Sequence, residues 1–222
     1  YYKLKKILKK NKPSKIIISF SPHNLTFYQD EKMFGLNGSQ RYKDLYPKYF
    51  LCLDREAIKQ INKNSNIINF DIFNPVFKIN TKSILKGSNA YIGEFRESLK
   101  SNLDTLIINK RVRAHYYNDR NNIYSISRLQ IDYLKKINEL CSMNNIDFYI
   151  LNLPVYYVYK LQIPPVFVDS YNTVINELRD NGAQILDYSF INIPNNGFGD
   201  GDHLNTIGAK IITDKLIQDL DL

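Results

Sequence analysis

Two residues suited to acid–base chemistry, Asp200 and His203, lie three positions apart in the glycine-rich segment 195–205, which reads NNGFGDGDHLN. A carboxylate at this spacing can accept the proton of one imidazole nitrogen, which fixes the tautomer and the orientation of the ring. The other nitrogen can then act as a general base toward a hydroxyl nucleophile. We therefore take Asp200 and His203 as the candidate catalytic residues.

Two other interpretations of this segment stay open. In the first, Asp200 or Asp202 caps the helix that follows, and His203 packs on the surface. In the second, Asp200, Asp202 and His203 bind a metal ion, although they lack the fuller ligand set of a zinc site and no glutamate completes a calcium loop. We expect neither a metal ion nor another cofactor.

Other side chains are weaker candidates for substrate contact. His115, in the basic segment 111–117, can contact a substrate anion, but an exposed loop histidine is the simpler interpretation. Three tyrosines follow a predicted strand and can stack on a sugar ring, but ordinary packing is the expectation: Tyr156, Tyr157 and Tyr159. Cys52 and Cys141 have no evident base partner, so both are expected to be structural.

The spacing of apolar residues predicts the elements that must position these side chains. Helical spacing occurs over residues 2–11, 125–144, 168–179 and 206–220. Short continuous apolar runs predict buried parallel strands over residues 15–20, 146–153 and 183–187. Helices that alternate with such strands are typical of a doubly wound α/β sheet.

The stretch 25–124 has a less regular pattern. Asp54 can cap a helix that runs to Ile61, and residues 98–103 have helical spacing. Residues 105–108 are predicted as a short strand or the end of that helix, and the polar, basic tract 110–122 as an exposed loop. We interpret the chain as a single domain over 1–222, with 25–124 as an insertion or unassigned region.

Ligands of doubly wound sheets bind beyond the carboxyl ends of the strands. Four segments lie there in this chain: 21–24, 152–157, 187–190 and 195–205. The Asp200 and His203 pair is therefore in a position where a site is expected.

Composition excludes several classes of protein. The chain has 222 residues, 44% hydrophobic and 23% charged, which suits one globular domain. Two cysteines cannot form a disulfide framework, and no apolar run approaches the length of a membrane span. The net charge of +8 comes mainly from lysine in a lysine-, isoleucine- and asparagine-rich sequence, so we expect no nucleic-acid partner.

The block DGDHLNTIGA at residues 200–209 resembles the C-terminal block of the SGNH/GDSL hydrolase superfamily, in particular its branch encoded with bacterial polysaccharide and cell-wall modification systems. The similarity covers roughly residues 1–24 and 125–220. It implies a three-layer, flavodoxin-like parallel sheet with helices on both faces and a large insertion. It also implies that Asp200 orients His203, the base.

The resemblance implies a function as well. The expected activity is acyl-ester chemistry, by an O-acyltransferase or esterase, on a cell-envelope polysaccharide. The substrate would be a carbohydrate or acyl ester, with a membrane protein as acyl donor, and the site would be extracytoplasmic. A non-catalytic glycan-binding or assembly module on the same fold is the alternative.

The nucleophile is where the chain departs from that family. The family's serine lies in a G-D-S or G-S-S motif after the first strand, and this chain contains neither. Because the sequence begins with Tyr1-Tyr2 rather than methionine, we expect the first strand, the serine and an anchoring segment to lie upstream. The alignment then gives Ser21, His23 and Asn24 a role in binding substrate or stabilising an oxyanion.

Overall fold

A parallel three-stranded sheet organises the part of the chain that the computed structural model describes, residues 1–34 and 98–221. The strands are β1, Lys15–Ser19, β2, Asp147–Asn152, and β3, Gln184–Asp187. Their spatial order is β1-β2-β3, with Ile17 of β1 opposite Tyr149 and Ile150 of β2 opposite Ile185. The predicted parallel α/β architecture is confirmed.

Seven α-helices accompany this sheet in the described ranges. They are α1, Tyr2–Leu8; α2, Phe27–Phe34; α3, Thr105–Tyr116; α4, Arg128–Met143; α5, Tyr157–Lys160; α6, Pro165–Asp180; and α7, Thr206–Leu220. Short 3-10 turns at Pro22–Leu25 and Asn195–Gly197 lie between them. The four predicted helices are therefore present: the one over 206–220 has the predicted bounds, and the other three have shifted ends.

Both faces of the sheet are covered. Ile16 and Ile18 of β1 pack into one core cluster, which contains residues of α3, α4 and α6, whereas Ile17 packs into a second cluster with α7. This alternation follows from the period of two in a strand. The central strand β2 is buried from Phe148 to Asn152, as expected for a strand with neighbours on both edges.

Helix α3 corrects the prediction for residues 105–116, whereas the rest of the predicted loop, 118–122, is irregular and largely exposed. Its residues were expected to form a short strand or helix end followed by an exposed loop, and residues 98–103 were expected to be helical. In the structure, residues 98–103 are irregular and the helix begins at Thr105. The Asp104 carboxylate caps it by accepting the backbone N–H of Leu106 at 2.7 Å. Only three residues at helical spacing are buried: Ile108, Val112 and Tyr116. Because basic residues lie between these positions, the sequence does not show this narrow apolar stripe as an amphipathic pattern.

Several predictions fall outside the described residues: the helix from Asp54 to Ile61, Cys52, and most of the proposed insertion 25–124. The single-domain interpretation stays a prediction. In the described ranges, no helix is both long and apolar enough to cross a membrane.

Candidate active site

The carboxyl ends of the three strands meet at one edge of the sheet, as predicted, and the loops there are bonded to one another. The Asn152 side chain at the end of β2 donates to the Asp187 carboxylate at the end of β3, at 3.0 Å. The backbone N–H of Tyr156, in the loop after β2, donates to the Gly201 carbonyl at 2.9 Å. The segment that carries Asp200 and His203 is therefore anchored to the loop that follows the central strand.

Glycines allow this segment to approach its neighbours closely. A Cβ on Gly208, in the first turn of α7, would lie 2.2 Å from the carbonyl oxygen of Gly197. A Cβ on Gly201 would lie 3.2 Å from Ile108 and 3.3 Å from Tyr159. The D-G-D-H turn therefore packs closely against α3 and α5, and the start of α7 packs closely against the 3-10 turn at Asn195–Gly197.

The Asp200 carboxylate and the His203 imidazole are in hydrogen-bond contact. Oδ1 of Asp200 lies 3.0 Å from Nδ1 of His203, and it accepts the backbone N–H of His203 at 2.9 Å and of Asp202 at 3.1 Å. The carboxylate thus orients the ring through Nδ1, the geometry that the spacing predicted. Catalysis by this pair stays a prediction.

Helix capping does not explain these residues. The N-cap of α7 is Asn205, whose side-chain oxygen accepts the backbone N–H groups of Ile207 at 3.0 Å and Gly208 at 3.3 Å. The interpretation of Asp200 or Asp202 as the cap was therefore wrong. The His203 side chain is 62% exposed, so its ring is open to solvent or substrate.

The charges around the pair affect both pKa values. Burial opposes ionisation of Asp200, but hydrogen bonds from His203 and the Asp202 backbone, together with the charges of His203 and Arg111, lower its pKa to about 2. The Asp200 hydrogen bond raises the pKa of His203, against the effects of partial burial and of the Arg111 charge. Asp200 is therefore a carboxylate at any physiological pH.

A second carboxylate and an arginine complete the cluster, and sequence reasoning missed this pairing. Arg111 of α3 donates from Nε to Oδ1 of Asp202 and from Nη2 to Oδ2, the latter at 2.8 Å. The Asp202 side chain is 1% exposed. The sequence signal was the basic tract around Arg111, which was interpreted as an exposed loop and not paired with Asp202.

Three ligand atoms of the kind that bind metals are close together here. Asp200, Asp202 and His203 each offer one, and these atoms lie within 4.8 Å of one another. However, the Arg111 guanidinium already donates to Asp202, and its Nε lies 3.5 Å from Oδ2 of Asp200. Since a cationic side chain already pairs with Asp202 and offsets part of the negative charge, we interpret this cluster as an ion-pair network.

The second group of predicted residues forms its own turn after β1. The Ser21 hydroxyl donates to Oδ1 of Asn24 at 3.1 Å, and Nδ1 of His23 lies 2.9 Å from the Ser21 oxygen. The Ser21 backbone N–H also donates to Oδ1 of Asn24, at 2.9 Å. The three side chains thus lie together, and the hydrogen bonds between Ser21 and Asn24 cap the turn.

His115 connects the two groups. Its ring stacks on that of His23, with 5.1 Å between centroids, and its Nδ1 lies 2.7 Å from the Tyr159 hydroxyl and 3.9 Å from Oδ2 of Asp202. The interpretation of His115 as an exposed loop residue was wrong, because it lies on α3 and is 13% exposed. The described side-chain contacts of His203 are with Asp200, Asp202 and Arg111, so Ser21, His23 and Asn24 are linked to it only indirectly.

The tyrosines after β2 divide into two kinds. Tyr159 is buried, which raises its pKa, and its ring lies against Tyr116, so packing explains it as expected. Tyr157 is 62% exposed, and its ring centroid lies 4.7 Å from that of Tyr156. Cys141 is buried in the core, as expected for a structural cysteine, and burial raises the pKa of its thiol to about 11.

A protein-family model matches residues 87–221, more than half of the chain, so the chain belongs to the family which that model defines. Neither the curated proteins nor the solved structures include a significant match to the chain.

Proposed function

We propose that this protein performs SGNH-type acyl-ester chemistry, as an O-acyltransferase or esterase, with Asp200 and His203 as its acid–base pair. The observation that carries the proposal is the 3.0 Å contact between Oδ1 of Asp200 and Nδ1 of His203 at the carboxyl edge of a parallel sheet. An ionised carboxylate on Nδ1 leaves Nε2 to take a proton from a hydroxyl group.

The proposed substrate is an acyl ester of a cell-envelope polysaccharide, and the proposed acyl donor is a membrane partner protein. The exposed ring of Tyr157, beside Tyr156 and after the central strand, offers a surface on which a sugar can stack. An extracytoplasmic location follows from this substrate. Both proposals extend the resemblance stated for residues 200–209.

Ester turnover by the full-length protein tests the proposal. We expect His203→Ala and Asp200→Asn each to lower kcat for an activated acyl ester by about 10²–10⁴-fold, because general-base catalysis and its orientation are lost. Asp214→Asn is the matched control, since Asp214 lies exposed on α7, where it forms an ion pair with Lys210. Circular dichroism establishes that each variant is folded. Turnover by folded His203→Ala at the wild-type rate would contradict the proposal.

A non-catalytic glycan-binding or assembly module is the second candidate. One observation favours it: in the described part of the chain, no serine hydroxyl is bonded to His203. This candidate predicts that the protein binds an envelope polysaccharide and that Tyr157→Ala weakens the binding. It predicts no ester turnover by the wild-type protein. Measurable turnover that depends on His203 would exclude it.

A further inference from the structure

The buried Asp202 carboxylate depends on Arg111. The Asp202 side chain is 1% exposed, and both of its oxygens accept hydrogen bonds from the Arg111 guanidinium. A buried carboxylate without a cation is strongly unfavourable, whereas a forked arginine contact satisfies both oxygens. This pair therefore fixes the position of the guanidinium, which projects from α3 toward the turn.

The same guanidinium contacts the candidate catalytic pair. Its Nε lies 3.5 Å from Oδ2 of Asp200, and its Nη2 lies 3.2 Å from Nδ1 of His203. Oδ2 of Asp202 is itself 3.7 Å from that imidazole nitrogen. One positive charge thus lies among two carboxylates and the imidazole.

We propose that Arg111 and Asp202 are positioning residues for His203: Asp202 holds the guanidinium in place, and the guanidinium partly offsets the two carboxylates. The neutral, basic form of His203 is then reached at a lower pH than it would be without Arg111, with Nδ1 directed at Asp200. The catalytic meaning of this arrangement rests on the proposed function. Its effect on His203, however, can be measured without a substrate.

The charges of Arg111 and Asp202 are expected to move the pKa of His203 in opposite directions. The hydrogen bond to Asp200 and the charges of Asp202 and Asp200 raise the pKa of His203, whereas burial and the charge of Arg111 lower it. Without Arg111, two carboxylates would face the ring unopposed, and His203 would be protonated to a higher pH. Besides these groups, His115 faces Asp202, at 3.9 Å from Nδ1 to Oδ2.

Titration of the imidazoles by NMR tests this inference directly, because the chain has 3 histidines and their signals can be assigned by substitution. We expect the pKa of His203 to rise in Arg111→Met, which removes the positive charge. We expect it to fall in Asp202→Asn, which removes a negative charge. Asp214→Asn, which alters an exposed carboxylate of α7, should leave it unchanged.

A purely structural role predicts another result. If these residues only hold the turn together, both substitutions release His203, and its pKa moves down toward the ordinary histidine value in both variants. A fall or no change in folded Arg111→Met would therefore overturn the inference.

A double variant keeps the test decisive if Arg111→Met does not fold because Asp202 is left unpaired. Arg111→Met combined with Asp202→Asn removes both charges of the ion pair, and it differs from Asp202→Asn only in the residue at position 111. We expect a higher His203 pKa in the double variant than in Asp202→Asn. An equal or lower value would overturn the inference.

The two proposals fail separately. The expected pKa changes without any ester turnover by wild-type protein would leave the positioning role intact and remove the proposed function. Turnover that depends on His203, without these pKa changes, would remove only the positioning role.

Discussion

At the scale of single residues, His203 lies under two opposing influences. Asp200 and Asp202 stabilise its protonated form, whereas Arg111 and partial burial favour its neutral form, and the net result is a raised pKa. Asp200 keeps its charge over the whole physiological range, because its pKa is lowered to about 2. A pH-dependent change in activity near neutrality therefore belongs to His203 rather than to Asp200.

This assignment fixes the direction of the pH profile. His203 acts as a base only when neutral, so kcat/KM for an acyl ester should rise with pH through the pKa of His203, above the ordinary histidine value. The measurement is a pH–rate profile from pH 5 to about 9 at constant ionic strength. Asp214→Asn should show the same profile. A rising limb at or below the ordinary histidine value would contradict the assignment.

The residue types of the candidate pair were predictable, but its surroundings were not. Three-residue spacing in a turn is local, so Asp200 and His203 could be paired from the sequence alone. Arg111 is 91 positions away from Asp202, and His115 is 44 positions away from Tyr159. These contacts depend on where α3 packs in the fold, and the spacing of residues along the sequence does not specify that position.

At the scale of elements, helix α3 carries the two side chains that connect the site, Arg111 and His115. Its buried stripe is one residue wide per turn, Ile108, Val112 and Tyr116, and its other positions are polar or partly exposed. The wide apolar faces of α4 and α6 were predicted because they show several core residues per turn. A narrow stripe between basic residues lacks that signal, so capping at Asp104 must define where α3 begins.

Removal of the cap should therefore loosen α3. Asp104→Ala leaves the backbone N–H groups of Leu106 and Ile107 without their side-chain acceptor. We expect a loss of about 1 kcal/mol in the free energy of unfolding, measured by urea denaturation. Asp132→Ala, at an exposed position inside α4, is the control and should change stability by less than about 0.5 kcal/mol. Equal effects of the two substitutions would contradict a capping role.

The start of α7 depends on the close approach of two backbones. Gly208→Ala would place Cβ 2.2 Å from the Gly197 carbonyl oxygen and 3.0 Å from the Leu204 side chain, so the D-G-D-H turn must shift. Overpacking of this kind costs about 1–3 kcal/mol, and we expect a loss of that size together with lower ester turnover. Denaturation and kinetics measure both effects. Thr213→Ala, on the exposed side of α7, is the control. A Gly208→Ala variant as stable and active as this control would show that the close contact between Gly208 and Gly197 is unimportant.

At the scale of the whole molecule, the sheet explains why the site forms where it does. β2 is the central strand, and both of its neighbours run parallel to it, so three loops leave the sheet at one edge. The strands were predictable because short apolar runs are typical of parallel strands. The predicted burial is correct only for the central strand β2, since β1 and β3 are partly exposed. The strand order required long-range pairing of residues near 17, 149 and 185, which local sequence patterns do not specify.

Labelling with a fluorophosphonate tests the central claim, an acyl-ester centre that depends on His203, most directly. We expect the purified full-length protein to form a serine adduct, identified by intact mass and peptide mapping, and its His203→Ala variant to react at least about 10²-fold more slowly. The Asp214→Asn control should react at the wild-type rate. An unlabelled wild-type protein, or equal rates with and without the His203 imidazole, would contradict the claim.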